Sequence, residues 1–243
     1  MDTEISAYLR AGRRNTVRVG PFTIGFSDTS VSPYANYAVP DDHARPTAAD
    51  VAALIDVFVD RGRKPRLEYL PSASPLVQPA LEDAGFTEEG LLPLMTISEL
   101  VEPPAVDGVE LVPADSDDTI FAMATALNLA YGEPPPTASD VASHSSSRDR
   151  GGFALLVRTL SGDPVGGGLV TVPIAGVAEL AGIGVVTSWR RRGVAALITA
   201  RLVQAARDLG VRTSFLMAAD DRAANVYTRV GFQLSGRVLH ISR

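Results

Sequence analysis

The stretch from Val177 to Leu209 constrains this chain more than any other. An apolar strand, Val177 to Val185, passes through a turn containing Arg190, Arg191, Arg192 and Gly193 straight into a long helix. Val194, Leu197, Ile198, Leu202, Ala205 and Leu209 recur at helical spacing, and Gly210 supplies a natural C-terminal stop.

The elements around this unit extend the pattern. Val109 to Val112 reads as a short strand, Asp115 to Asp118 offers N-caps for a helix through about Ala130, and a weaker helix spans Ala138 to Ser146. The interruption Gly132 to Pro136 and the polar run Ser143 to Arg150 read as loop or helix-boundary material. Phe153 to Thr159, Pro164 to Val172 and Val177 to Val185 form an antiparallel meander, the last two joined by a turn near Pro173 to Gly176. Past Gly210 come a strand Val211 to Met217, a short helix Asp221 to Arg229 and a terminal strand Gly231 to Ile241.

Val101 to Gly108 combines two prolines, two acids and a glycine, and is the linker candidate between two domains. The N-terminal half ends in a related order: helix Ala48 to Asp60, strand Arg66 to Leu70, helix Pro75 to Ala84, then strand material from Phe86 to Ile97. Leu81 to Phe86 parallels Val226 to Phe232, which points to a diverged repeat.

Composition removes several function classes. There is no cysteine, so disulfides, thiolate metal sites and a cysteine nucleophile are excluded. A net charge of -6 lacks the basic footprint of nucleic-acid binding. Met1 to Arg18 has no apolar core of signal-peptide length, and no segment approaches the about 20 apolar residues that cross a bilayer. A cytoplasmic protein is expected, and the dominance of arginine over the single Lys64 suggests a GC-rich, bacterial coding sequence.

Chemistry concentrates where the strand ends. Gly193 and Ala195 allow close approach to the backbone, and the free N–H groups of the following helix point outward. A pyrophosphate would gain from those donors, from the positive helix end and from Arg190 to Arg192. A solvated arginine cluster beside a helix cap is the alternative.

Arg190-x-x-Gly193-x-Ala195 in this strand-to-helix setting, followed by Asn225 to Phe232 with a tyrosine and a Gly-Phe strand start, resembles the GNAT acetyltransferase superfamily. The resemblance implies an α/β (α+β) fold with a mixed, mostly antiparallel sheet flanked by helices, in two related units. These are a degenerate, truncated unit at 1–101 and a catalytic one at 108–243. It implies acetyl-CoA as cosubstrate and no metal. Backbone groups of Val185, Val186 and Thr187 would meet the pantetheine arm and acetyl carbonyl, residues Arg190, Arg191, Arg192, Gly193, Val194, Ala195 and Ala196 the pyrophosphate, and Asn225 the arm. Ala195 replaces the commoner glycine, and Thr187-Ser188 stands where many relatives have proline. The N-terminal half has acids and prolines, Val39 to Pro46, where the signature would fall, which argues against cofactor binding there.

By the same resemblance Tyr227 would sit near the thiolate leaving group as a general acid; its phenol, neutral at pH 7, suits the role. The alternative is a half-buried packing residue. The incoming ammonium must lose a proton, and the resemblance makes Glu179 the candidate base, since it falls early in the strand Val177 to Val185 where several relatives carry one; period-two alternation puts it on one face with Ile183 and Val185. An exposed strand residue or a contact to the substrate ammonium is equally compatible. His43, His144 and His240 share no metal-ligand spacing, and Gly166 to Gly168 suits a bulge or tight strand entry better than a phosphate loop.

The function expected is transfer of an acetyl group to a primary amine of a small molecule or peptide. A non-catalytic acyl-CoA-binding sensor or scaffold, or a tandem acyltransferase similar to mycothiol synthase, are the alternatives. No nucleic-acid or membrane partner is expected, and a monomer is preferred to a homodimer. The N-terminal unit is expected to shape the acceptor cleft or only to stabilise.

Overall fold

The structure is a computed structural model that describes residues 2–12, 15–28 and 30–243; Met1, Arg13 and Arg14, within the N-terminal stretch read above, lie outside the described residues. In chain order the elements are α1 (Asp2–Ala11), β1 (Thr16–Val19), β2 (Phe22–Gly25), β3 (Tyr37–Pro40), α2 (Ala48–Val59), β4 (Arg66–Tyr69), α3 (Val77–Asp83), β5 (Thr87–Ile97), β6 (Val109–Pro113), α4 (Asp117–Tyr131), α5 (Ala138–Asp149), β7 (Phe153–Thr159), β8 (Pro164–Val170), β9 (Val177–Val185), α6 (Val194–Asp208), β10 (Thr213–Met217), α7 (Asp221–Thr228) and β11 (Phe232–Ser242). Short 3-10 turns lie at Pro33–Ala35 and Thr187–Trp189.

The chain divides into two compact units, one of Met1–Leu94 with Ser235–Arg243 and one of Met95–Leu234. The division falls inside β5 and β11, and the stretch 101–108 lies within the second unit.

In the first unit β1, β2 and β3 are antiparallel neighbours, β3 pairs parallel with β4 through Ala38 and Leu67, and β4 pairs antiparallel with β11 from Tyr69/Leu239 to Arg66/Ser242. Helix α2 starts at a capping box of Thr47 and Asp50 and buries Val51, Leu54 and Phe58, one stripe at helical spacing. The fully buried Arg66 is matched on every side. Its Nε donates to Glu89 Oε2 at 2.7 Å, Nη1 to Glu68, and Nη2 to His240 Nδ1 at 3.0 Å. A guanidinium can only donate, so His240 accepts through Nδ1 and carries its proton on Nε2.

The second unit holds the sheet β10-β9-β8-β7-β6, antiparallel except for the parallel pair β10/β9. Alternation splits the strand residues between two helical layers. Leu155, Val157, Ala178 and Leu180 pack with Val194, Ile198 and Leu202 of α6, while Ala154 and Leu156 pack with Ile120, Met123 and Leu127 of α4. Each fully buried Ile or Leu contributes roughly 1.5–3 kcal/mol. The mixed, mostly antiparallel sheet flanked by helices is the expected fold class. Gly166 to Gly168 lie at an irregularity of the β8/β9 ladder, where a Cβ on Gly167 would stand 2.6 Å from Leu155 O and one on Gly168 2.8 Å from Leu202.

Most anticipated elements agree within one or two residues. Two differences are physical. The run from Ser143 is helical to Asp149, because Thr137 and Asp140 form a capping box, Ser145 Oγ donates to Asp117 at 3.0 Å and Arg148 reaches Asp115 O at 2.6 Å. Helix α1 and strands β1 to β3 carried no pattern long enough to read, the strands having only four residues each. No helix among the described residues is long and apolar enough to cross a membrane.

Candidate active site

The site is built where β9 and β10 part. Their parallel pairing runs from Val177/Thr213 to Glu179/Phe215 and ends there, although β9 continues to Val185 against β8. A strand presents its backbone groups to its two edges in turn. Val186 N–H donates to Val165 O on β8, so Val185 and Ile183 direct their carbonyls to the opposite, parted edge. Both carbonyls carry side-chain donors: Arg190 Nε lies 3.0 Å from Val185 O, and Tyr131 Oη 3.0 Å from Ile183 O. Arg190 Nη2 also donates to Ala130 O at 2.7 Å.

The turn that follows exposes backbone donors. Arg191 at φ 64° and Gly193 at φ 88° occupy the left-handed region, which costs a side-chain-bearing residue roughly 1–2 kcal/mol. From Arg191 through Ala196 no N–H meets an acceptor among the described residues; Leu197 is the first to bond, to Gly193 O at 3.0 Å. Helices α2, α4, α5 and α7 cap their first turns with Thr47, Ser116, Thr137 and Asp220, whereas α6 has no side-chain cap. The result is a row of free donors at the positive end of a long helix, suited to a multiply charged anion.

The predicted cofactor residues gather at this turn. Val185, Val186 and Val194 have buried side chains and can serve a ligand only through their backbone, while Thr187, Arg191, Arg192 and Gly193 are exposed. The Arg192 guanidinium stacks over Trp189 at 4.7 Å. The Arg190 guanidinium, by contrast, is committed to the two carbonyls already named.

Helix α7 brings Asn225, which is exposed, and Tyr227, half-buried against Phe232 with ring centroids 6.3 Å apart. Burial, and secondarily the neighbouring Tyr131 phenol, push the Tyr227 hydroxyl up to about 12. It is a neutral donor throughout the physiological range, and no group among the described residues hydrogen-bonds it. Tyr131 itself was missed in the sequence; its only signal was an aromatic residue directly before Gly132, the left-handed C-cap of α4 at φ 76°.

Glu179 requires a correction. Ile183 and Val185 pack on the α6 side together with Ala178 and Leu180, so Glu179 does not share their face. The cause is a bulge at Gly182, φ 60°, where the β8/β9 register shifts and the alternation changes phase. Glu179 instead lies on the α4 side of the sheet, its backbone fixed by Thr171, whose Oγ1 accepts from Glu179 N–H at 2.9 Å. Among the described residues no group of three or more His, Asp or Glu could hold a metal ion. His43 is exposed and His144 lies on α5.

Residues 119–232 match the profile of the Acetyltransferase (GNAT) family. A search of the curated proteins finds no match. Among solved structures, a GCN5-related N-acetyltransferase from Kribbella flavida is 24% identical with a TM-score of 0.82, over 100% of this chain and 95% of that one. Another from Sphaerobacter thermophilus is 20% identical, with a TM-score of 0.68 over 92% of this chain and 76% of its own. A tandem GNAT protein from the clavulanic acid biosynthesis pathway is 13% identical with a TM-score of 0.61, over 86% and 77% of the two chains. At these identities the likeness establishes the fold.

Proposed function

We propose, with residues 119–232 a GNAT domain, that the chain transfers an acetyl group from acetyl-CoA to a primary amine of a small molecule or peptide by direct attack. The observation that carries this reading is the row of unpaired N–H groups from Arg191 through Ala196 beside the parted edge of β9. The donor set fits the ligand. A pyrophosphate matches the free donors and the positive end of α6, with Arg191 and Arg192 adjacent, and an amide-bearing arm matches a strand edge with no partner strand.

Acetyl-CoA, when bound, supplies an activated acyl group on a thioester. Backbone groups of Val185 and Thr187 would orient the arm, and Asn225 would hold it from α7; Val186, expected to join them, has its N–H on Val165 O and its carbonyl on Trp189 N–H. Tyr227, kept protonated by burial, would donate a proton to the departing sulfur. Only a neutral amine has the lone pair for attack, so a base must take its proton. Glu179 is proposed for this from the α4 side of the sheet, directly or through one water. In this reading residues 108–243 are the catalytic domain and residues 1–101 a degenerate GNAT-like unit. Support for the latter comes from the loops after β3 and β4, which are joined by His43 N–H to Ala73 O at 2.7 Å and Ser74 Oγ to Asp41 O at 2.6 Å. Helix α2, unlike α6, carries a side-chain cap, Thr47 Oγ1 accepting from Asp50 N–H.

The displaced face of Glu179 favours a second reading, an acyl-CoA-binding sensor without turnover. The first test is isothermal titration with acetyl-CoA of the wild type and of Gly193→Trp. Saturable binding lost in the variant supports the reading; a wild type that binds nothing refutes it.

A further inference from the structure

Three backbone carbonyls around the site are left without partners by secondary structure. Ala130 O, in the last turn of α4, would need the N–H of residue 134, which is a proline. Ile183 O and Val185 O lost their partner strand when β10 parted from β9. Each carbonyl is reached instead by one of two side chains, Arg190 or Tyr131.

We propose that Arg190 and Tyr131 are positioning residues that lock the C-terminal end of α4 onto the parted end of β9, and that the Arg190 guanidinium is not a phosphate ligand. The proposal rests on the acetyl-CoA reading and deepens it. Arg190 reaches Ala130, 60 positions away, placing its charge at the negative end of α4 and one donor on the strand edge that would meet the arm. Tyr131 ties the same helix end to the same edge two residues earlier. Asn128 Nδ2 donates to Pro134 O at 2.7 Å, so the Gly132–Pro136 turn is anchored with the helix end. Orientation of the edge at Ile183 to Val185 then depends on the two side chains, while the donors of α6 do not.

The consequence is a split between the two ends of the cofactor. The probes are acetyl-CoA and 3′-phosphoadenosine 5′-diphosphate, the nucleotide end without the arm, titrated into the full chain. Arg190→Ala is expected to weaken acetyl-CoA roughly fivefold to tenfold, the scale of one or two lost hydrogen bonds, while the nucleotide stays within about twofold. Arg190→Lys keeps the charge but cannot span two carbonyls, and should follow Arg190→Ala. Tyr131→Phe, which removes one hydroxyl and no charge, should show the same split at about twofold to fivefold. Arg192→Ala should weaken both probes alike.

Equal weakening of both probes by Arg190→Ala, rescued by Arg190→Lys, would make Arg190 a phosphate ligand and overturn the proposal. No change in either probe would overturn it as well. Should the wild type bind neither probe, the acetyl-CoA reading fails, and amide exchange decides the lock by itself. Faster exchange at residues 128–133 in Arg190→Ala and Tyr131→Phe supports it, and unchanged exchange refutes it.

Discussion

Substitution of Gly193 separates backbone conformation from bulk at the candidate pyrophosphate site. Gly193 is the N-cap of α6 at φ 88°, and an added Cβ would meet only Val106 Cγ2 at 3.5 Å, an ordinary contact. Gly193→Ala is therefore not a steric clash but a left-handed residue with a side chain, which costs roughly 1–2 kcal/mol. For a chain of this length that lowers the melting temperature by about 2 to 8 °C. If the turn relaxes to escape the strain, the N–H row from Arg191 to Ala196 loses its alignment. Loss of one charge-assisted hydrogen bond to an anion then weakens acetyl-CoA by roughly tenfold to a hundredfold. Asparagine tolerates the left-handed region better than alanine, and valine far worse. The expected order in both melting temperature and affinity is Gly, Asn, Ala, Val, read by calorimetry and titration on the same preparations. Equal behaviour of Asn and Ala would refute the conformational argument, and an order following side-chain volume would replace it with a steric one.

Tyr227→Phe is expected to lower turnover about a hundredfold and leave acetyl-CoA affinity within about twofold, and a larger loss of binding than of rate would make the ring a packing element. With the phenol held at about 12, no alkaline decline in rate should arise from Tyr227 below about pH 11, which a pH profile of thiol release checks. Glu179→Gln should reduce turnover at pH 7 about a hundredfold, and an unchanged rate assigns the proton to another acceptor. In the first unit, burial opposes the Glu89 carboxylate, but hydrogen bonds from Ser242, Arg66 and Lys64 outweigh it and hold the group at about 2. A lowered carboxylate stabilises above its ordinary range near 4.5 and loses that contribution as pH falls toward 2, here about 1–2 kcal/mol after solvent screening. Urea melts from pH 2 to 6 should show this limb in the wild type and a flatter one in Glu89→Gln.

The parts of the molecule that were legible in the sequence are those written by periodicity and caps. Helix α6 announced itself through Val194, Ile198 and Leu202, and the meander β7 to β9 through apolar runs separated by turns, because both bury continuous faces in one core. Strands β1 to β3 did not, since four residues hold too few alternations to stand out. At the site, the donor row at α6 followed from residue types, whereas the Arg190 and Tyr131 contacts join positions far apart in the chain and depend on where β10 leaves β9.

Glu179 shows how one residue can invert such a reading. Alternation is a reliable guide only while a strand stays regular, and Gly182 lies between Glu179 and the two residues used to assign its face. A glycine inside an apolar strand is itself a signal for a bulge, and its φ of 60° admits a two-for-one mismatch that most side chains would resist. The phase change lets Ile183 and Val185 join Ala178 and Leu180 in the α6 core while Gly184 accommodates Leu127 of α4, whose Cδ2 would lie 2.9 Å from any Cβ there. The same bulge therefore does two things at once: it seats α4 closely on β9, and it moves Glu179 to the face that α4 covers.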